Sequence, residues 1–206
     1  TMWYMLLFAT LVALVYFMSQ KDWLWAHILL WPAFLWHTAQ VFFASDSSGG
    51  NYEYYLFIFG FTILVLPHKE FFLKLYLVVF YVLSTFAKIH PGWVLGTYFS
   101  SMHTGLPIFP DWSIPLWTNL VIFFEMILAW FLLSRNLAIQ RPVLFFFIIF
   151  HLYSGIIVMY RYPATVLPLL IILFGWMYRY TPVPLDRKSI AGWVMLVLLF
   201  TAQLSS

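Results

Sequence analysis

Apolar runs fill most of this chain, and Gly, Pro and charged residues break them at intervals close to the length of a membrane helix. A helix needs about 20 apolar residues to cross the hydrocarbon of a bilayer. On that measure the pattern predicts spans over 2–19, 23–44, 52–67, 70–89, 115–134, 142–160, 163–180 and 189–204. Two interruptions stand out. Asp46-Ser47-Ser48-Gly49-Gly50 reads as a short flexible turn, and residues 90–114 form one long connection rich in Gly, Pro, Trp and Ser. Connections of that length without periodicity are usually functional or disordered. The expected fold is all-α: a single polytopic transmembrane bundle of about eight spans over 1–206, with no soluble domain.

Composition agrees with lipid as the solvent. Hydrophobic residues make up 64% of the 206 residues and charged residues 8%, and the mean hydropathy is +0.92. A soluble domain of this size carries far more charge. The absence of cysteine excludes thiolate nucleophiles, disulfide relays and Cys-ligated metals or clusters. A net charge of +3 with no run of Lys and Arg gives no footprint for nucleic acid. The chain opens at Thr1 directly on an apolar run, so an upstream segment, missing or processed, is expected.

The cations are one-sided. Lys21, Lys69, Lys74, Arg135, Arg141, Arg179, Arg187 and Lys188 fall in the odd-numbered connections, whereas Lys88 and Arg161 fall on the opposite side. The positive-inside rule then places the odd connections in the cytoplasm. The 90–114 loop, Lys88 and Arg161 face away from it, so the expected localisation is multi-pass integral membrane with a non-cytoplasmic 90–114 loop.

Ionisable groups within spans are expensive and are functional candidates by default. Here they are His27, His37, Lys88, Glu125 and His151, with Arg161 at a helix end. Tyr81, Ser84, Thr85 and Lys88 recur at i, i+3, i+4 and i+7, which is one helical face. His151, Ser154, Gly155 and Arg161 lie close to one side of their span. Such faces should point inward, away from lipid. They can be interhelical hydrogen-bond glue, or they can line an outward-opening polar cavity. Lys88 alone reads either as a charge snorkelling to water or as a tuned base. Glu125 requires a partner, and His151 is a candidate. His37, beside Trp36 and Thr38, is placed to line a pocket or simply to pack. His90 and His103 lack a carboxylate at ligand spacing, so no metal site is assigned. His37 and His151 are the available axial ligands for a tetrapyrrole. That reading is the weaker one, because no span stacks two histidines on one face: His27 and His37 are about 280° apart around the helix.

The stretch Phe86-Ala87-Lys88-Ile89-His90-Pro91-Gly92-Trp93-Val94-Leu95-Gly96 resembles the K-L-x-x-x-W-x-x-G segment of the vitamin K-dependent γ-carboxylase family, whose membrane part is the HTTM (horizontally transferred transmembrane) domain. Phe150-His151-Leu152-Tyr153, followed by an aromatic-rich span ending in Leu173-Phe174, is similar to the F-H segment of that domain, and Glu125 fits its layout. The resemblance covers about residues 70–175. It implies that Lys88 is the base that takes a proton from reduced vitamin K, after which oxygen adds, a glutamate γ-proton is removed and carbon dioxide adds. Removal from water disfavours an ammonium, which is how an amine becomes a base. The resemblance also implies a quinone as cofactor. Two departures bear on substrate: Ile89-His90-Pro91-Gly92 stands where more acidic residues are expected, and the family's large extramembrane domain has no counterpart before Ser206. The helical core is also similar to small quinone-associated membrane proteins of the DoxX and MauE type.

Two functions follow. The first is an HTTM-like membrane protein with an outward-facing polar cavity and quinone-dependent carboxylase or oxidoreductase chemistry. In it Lys88, Glu125 and His151 are catalytic, and His37, Tyr81, Thr85 and Arg161 line the cofactor site. The second is a non-catalytic transmembrane subunit of a respiratory or photosynthetic complex, whose partners are lipid and other membrane subunits. Transport is weaker, since paired broken helices in corresponding halves are not evident.

Overall fold

The computed structural model of the chain describes residues 2–43, 51–100, 105–158, 161–176 and 180–204. Among these residues every regular element is helical and none is a strand. The chain divides into two compact units, Thr1–Lys69 and Glu70–Ser206.

The first unit contains α1 (Met2–Ser19), α2 (Trp23–Phe43) and α3 (Asn51–Leu64). Lys21, with φ +58°, turns the chain between α1 and α2, and the Asp22 carboxylate accepts from Trp25 N–H at the start of α2. α2 packs against both neighbours. Its contact with α3 is close because Gly60 has no side chain: a Cβ there would stand 2.7 Å from the Phe34 ring. The predicted turn at Asp46–Gly50 lies outside the described residues.

The second unit is built around α4 (Lys69–Phe86). Every residue from Lys74 to Leu83 is buried, as expected for a helix that is apolar all round. Two one-turn helices follow, α5 (Pro91–Val94) and α6 (Thr97–Ser100). A 3₁₀ turn at Asp111–Ser113 then leads into α7 (Ile114–Met126), which tightens to 3₁₀ over Leu128–Leu133. α8 (Leu137–Val158) starts where the Asn136 side chain accepts from Ala138 N–H at 3.0 Å. α9 (Arg161–Leu170) contains Pro168 and widens into a π-helical turn over Ile171–Trp176. Proline removes one backbone donor and displaces the turn before it, and the Gln140 side chain of α8 donates to the Phe174 carbonyl there at 2.9 Å. α10 (Ile190–Leu204) closes the unit.

Three helices meet α4 through specific contacts. α10 approaches at Gly192, whose carbonyl accepts from the Tyr76 hydroxyl at 2.7 Å and whose missing Cβ makes room for the Phe72 ring. α8 approaches through Phe147, whose ring centroid is 4.6 Å from that of Tyr81. α7 approaches through Glu125, described below. On α8, Phe145, Ile149, Leu152 and Ile156 are exposed; the spacing places them on one helical face.

The helices overlap the eight predicted apolar runs, but their ends shift in both directions: α8 starts at Leu137 rather than 142, so Arg141, assigned to a connection, lies inside it. Among the described residues two segments, Asp111–Leu133 and Leu137–Ile157, are long and apolar enough to cross a membrane. Two further details differ from expectation. Lys74, assigned to a connection, lies inside α4, where it is buried and pairs with Glu70 at 2.6 Å; the i, i+4 spacing allows the pair to form within the helix. The 90–114 connection, where described, is ordered: Phe99, Leu106 and Ile114 form a small core with Trp93, Phe109, Trp117 and Ile157 packed on it. Gly96, at φ +73°, makes the turn between α5 and α6.

Candidate functional site

The site grows from one face of α4. Tyr81, Ser84, Thr85 and Lys88 are aligned by helical spacing, and the face they form meets α7 and α8. α4 ends at Phe86, and Lys88 follows in a tight turn in which its N–H donates to the Thr85 carbonyl at 2.8 Å. The turn brings the lysine side chain back along the helix. Its Nζ lies 3.4 Å from both the Ser84 carbonyl and the Ser84 hydroxyl, and 2.5 Å from Glu125 Oε2.

The pair is asymmetric. The Lys88 side chain is 20% exposed and that of Glu125 4% exposed. Ser84 and Thr85 also approach Glu125 Oε2, at 3.3 and 3.4 Å. Each hydroxyl has a single proton, and each makes a shorter bond of 2.9 Å to the Tyr81 carbonyl. The lysine is therefore the principal partner of the carboxylate. One face of Lys88 is closed by Trp93, whose ring centroid is 5.6 Å from Nζ, within cation–π range. Trp93 is fixed in turn by its indole N–H, which donates to the Thr118 carbonyl of α7 at 3.0 Å. Asn119 beside it donates to the Val94 carbonyl of α5 at 2.9 Å.

A second polar pair lies deeper. The Tyr81 hydroxyl and His151 Nε2 are 2.6 Å apart, and both residues are buried. Either group can donate, depending on the imidazole tautomer. Phe147 and Phe150 pack against this pair. Tyr81 links the two pairs, since its carbonyl accepts from the Ser84 and Thr85 hydroxyls that approach Glu125. The arrangement holds a cation at a partly open rim, a carboxylate directly behind it and a phenol–imidazole pair within the helices. Such a set can accept, store and return a proton.

Five of the seven predicted site residues thus come together: Lys88, Glu125, His151, Tyr81 and Thr85. His37 lies on α2 in the other unit, half-buried. Arg161 begins α9, and its side chain lies outside the described residues. His151 meets Tyr81 rather than Glu125, the partner that the sequence suggests for it. Helical spacing alone gives no role to Thr118 or to the ring of Trp93. Trp93 is five residues beyond Lys88, across the break at Pro91, so helical spacing could not connect them. Among the described residues no three of His, Asp and Glu converge as metal ligands would. Comparison with family models, with curated proteins and with solved structures finds no match for this chain.

Proposed function

We propose that this chain is a multi-pass membrane protein of eight spans in which Lys88 and Glu125 exchange a proton with a lipid-soluble quinol. The observation that carries this reading is the 2.5 Å contact between a partly exposed lysine and a buried glutamate. Proton transfer from Lys88 to Glu125 leaves a neutral amine facing outward. That amine removes a proton from a quinol hydroxyl and becomes ammonium again, and the quinolate is left to react with oxygen. Trp93 closes one face of Lys88 and holds its amine in place. Tyr81 and His151 orient the pair and provide a second proton store. The resemblance to the vitamin K-dependent γ-carboxylase family around Lys88 and His151 supports this chemistry, and the cation distribution supports a site on the non-cytoplasmic side.

The test is oxygen uptake and bicarbonate incorporation into a glutamate-containing peptide. The chain is reconstituted in liposomes and supplied with reduced naphthoquinone. We expect quinol-dependent oxygen uptake in the wild type and its loss in Lys88→Ala. Equal rates in the two would refute the base assignment.

A second reading is favoured by the exposed stripe Phe145, Ile149, Leu152 and Ile156: a non-catalytic subunit that packs against other membrane proteins, with Lys88 and Glu125 as a structural lock between α4 and α7. In that case mild solubilisation from native membranes yields a larger complex, and Lys88→Ala changes its stability without any quinol-dependent rate.

A further inference from the structure

The second unit holds a cavity of about 370 Å³. It is lined near the start of α4, by Lys74, whereas Lys88 lies beyond the other end; fourteen residues of helix separate them by about 20 Å. The cavity is therefore independent of the quinol site. Its volume is within the range of small-molecule sites.

The walls combine two chemistries. Leu75, Leu132, Phe174 and Trp193 are apolar, while Lys74 and Arg135 are cationic. Lys74 has a side chain only 4% exposed and pairs with Glu70, whose side chain is 32% exposed. Arg135 lies over the Tyr180 ring, 3.9 Å from its centroid, and donates to the Tyr180 hydroxyl. A guanidinium has five N–H donors in a planar fork, so this contact leaves it able to hold a further oxyanion. Glu70 offsets Lys74, and Arg135 leaves the group with a net positive charge. A hydrophilic anion would leave the apolar walls unused, and a neutral lipid would leave the remaining Arg135 donors unused.

We infer that this cavity binds an anionic amphiphile, with a phosphate or carboxylate head at Arg135 and an alkyl chain along Leu75, Leu132, Phe174 and Trp193. The shared chemistry is an oxyanion on a hydrocarbon tail, whether supplied by a membrane phospholipid or by a free fatty acid.

The experiment uses the full chain in a neutral maltoside detergent. Dodecyl phosphate and dodecanoate are titrated by calorimetry, with inorganic phosphate and dodecyltrimethylammonium as controls. Both alkyl anions should saturate a single site, and neither control should do so over the same concentration range. Arg135→Gln should weaken binding roughly tenfold, the effect of losing one charged hydrogen bond. Thr181→Trp, which adds bulk to a lining position, should abolish it. Arg135 is exposed, so the Gln variant decides the matter if the Trp variant does not fold. Equal binding of the alkyl anions to wild type and Arg135→Gln would overturn the proposal, as would equal binding of the alkyl cation. Native mass spectrometry of protein taken from membranes of mixed phosphatidylglycerol and phosphatidylcholine, with and without added fatty acid, identifies which source fills the site. Retention of phosphatidylcholine in preference to both would also overturn it.

Discussion

Lys88 and Glu125, 37 positions apart in sequence, meet at 2.5 Å with the lysine at the rim and the glutamate buried behind it. The inequality of exposure gives the contact its physical character. Glu125 has exchanged water for one ammonium and two weaker hydroxyl contacts, whereas Lys88 retains partial access to solvent. The pair joins the end of α4 to the body of α7, the helix whose Thr118 carbonyl also accepts from the Trp93 indole of α5.

Removing one partner should therefore be unequal in effect. Lys88→Met leaves a buried carboxylate without its counter-charge, a loss of about 3 kcal/mol. Glu125→Gln leaves an ammonium that can turn toward water, and should lose only about 1 kcal/mol. The double variant should recover most of the Lys88→Met loss, because no buried charge remains. Reversible denaturation in mixed micelles measures all three. A larger loss for Glu125→Gln than for Lys88→Met would contradict the asymmetry.

The deeper pair gives a separate prediction. Tyr81→Phe keeps the ring contact with Phe147 and removes the hydroxyl that meets His151 at 2.6 Å. A buried imidazole then loses that hydrogen bond, and stability should fall by about 1–3 kcal/mol. A further change of His151 to Leu should restore part of it, since both polar members of the pair are then gone. If Tyr81→Phe proves neutral by the same denaturation assay, the contact contributes nothing net.

Much of this was legible in the sequence because helices announce themselves by period. The apolar runs gave the helices, and the spacing of Tyr81, Ser84, Thr85 and Lys88 gave the polar face of α4. Glu125 and His151 were legible as charged or titratable groups in apolar surroundings. Their pairing was not, because partners on different helices are chosen by packing: Phe147 and Phe150 pack where His151 meets Tyr81. Trp93 and Thr118 were missed for a related reason, since the break at Pro91 ends helical periodicity and the link between them is a bond to backbone. The burial of Lys74 was hidden by its charge, which reads as a connection until Glu70 one turn earlier is seen to satisfy it.

Close packing of α4 on α10 depends on Gly192. A methyl group there would stand 2.2–2.5 Å from three atoms of the Phe72 ring, well inside van der Waals contact. Gly192→Ala should therefore destabilise by about 1–3 kcal/mol through overpacking, and should also disturb the bond from Tyr76 to the Gly192 carbonyl. Combining it with Phe72→Leu, which shortens the opposing side chain, should recover part of the loss. Thermal unfolding of the single and double variants tests this; strict additivity would place the clash elsewhere.

Trp93 offers the sharpest separation between a structural and a functional role. Its indole N–H holds α5 to α7 through Thr118, and its ring lies over the Lys88 ammonium. Trp93→Phe retains a ring but removes the donor and weakens the cation–π contact, so stability should fall by about 1 kcal/mol. Trp93→Leu also opens space in the loop core against Phe99 and should cost about 3 kcal/mol. If Trp93 matters to chemistry only by positioning Lys88, the quinol-dependent rate should drop in Trp93→Leu in the wild-type background. The same change should add nothing in a Lys88→Met background, where the residual rate no longer passes through the amine. A further drop there would mean that Trp93 contacts the quinol directly, and the ring would then be assigned to substrate binding rather than to orientation of the base.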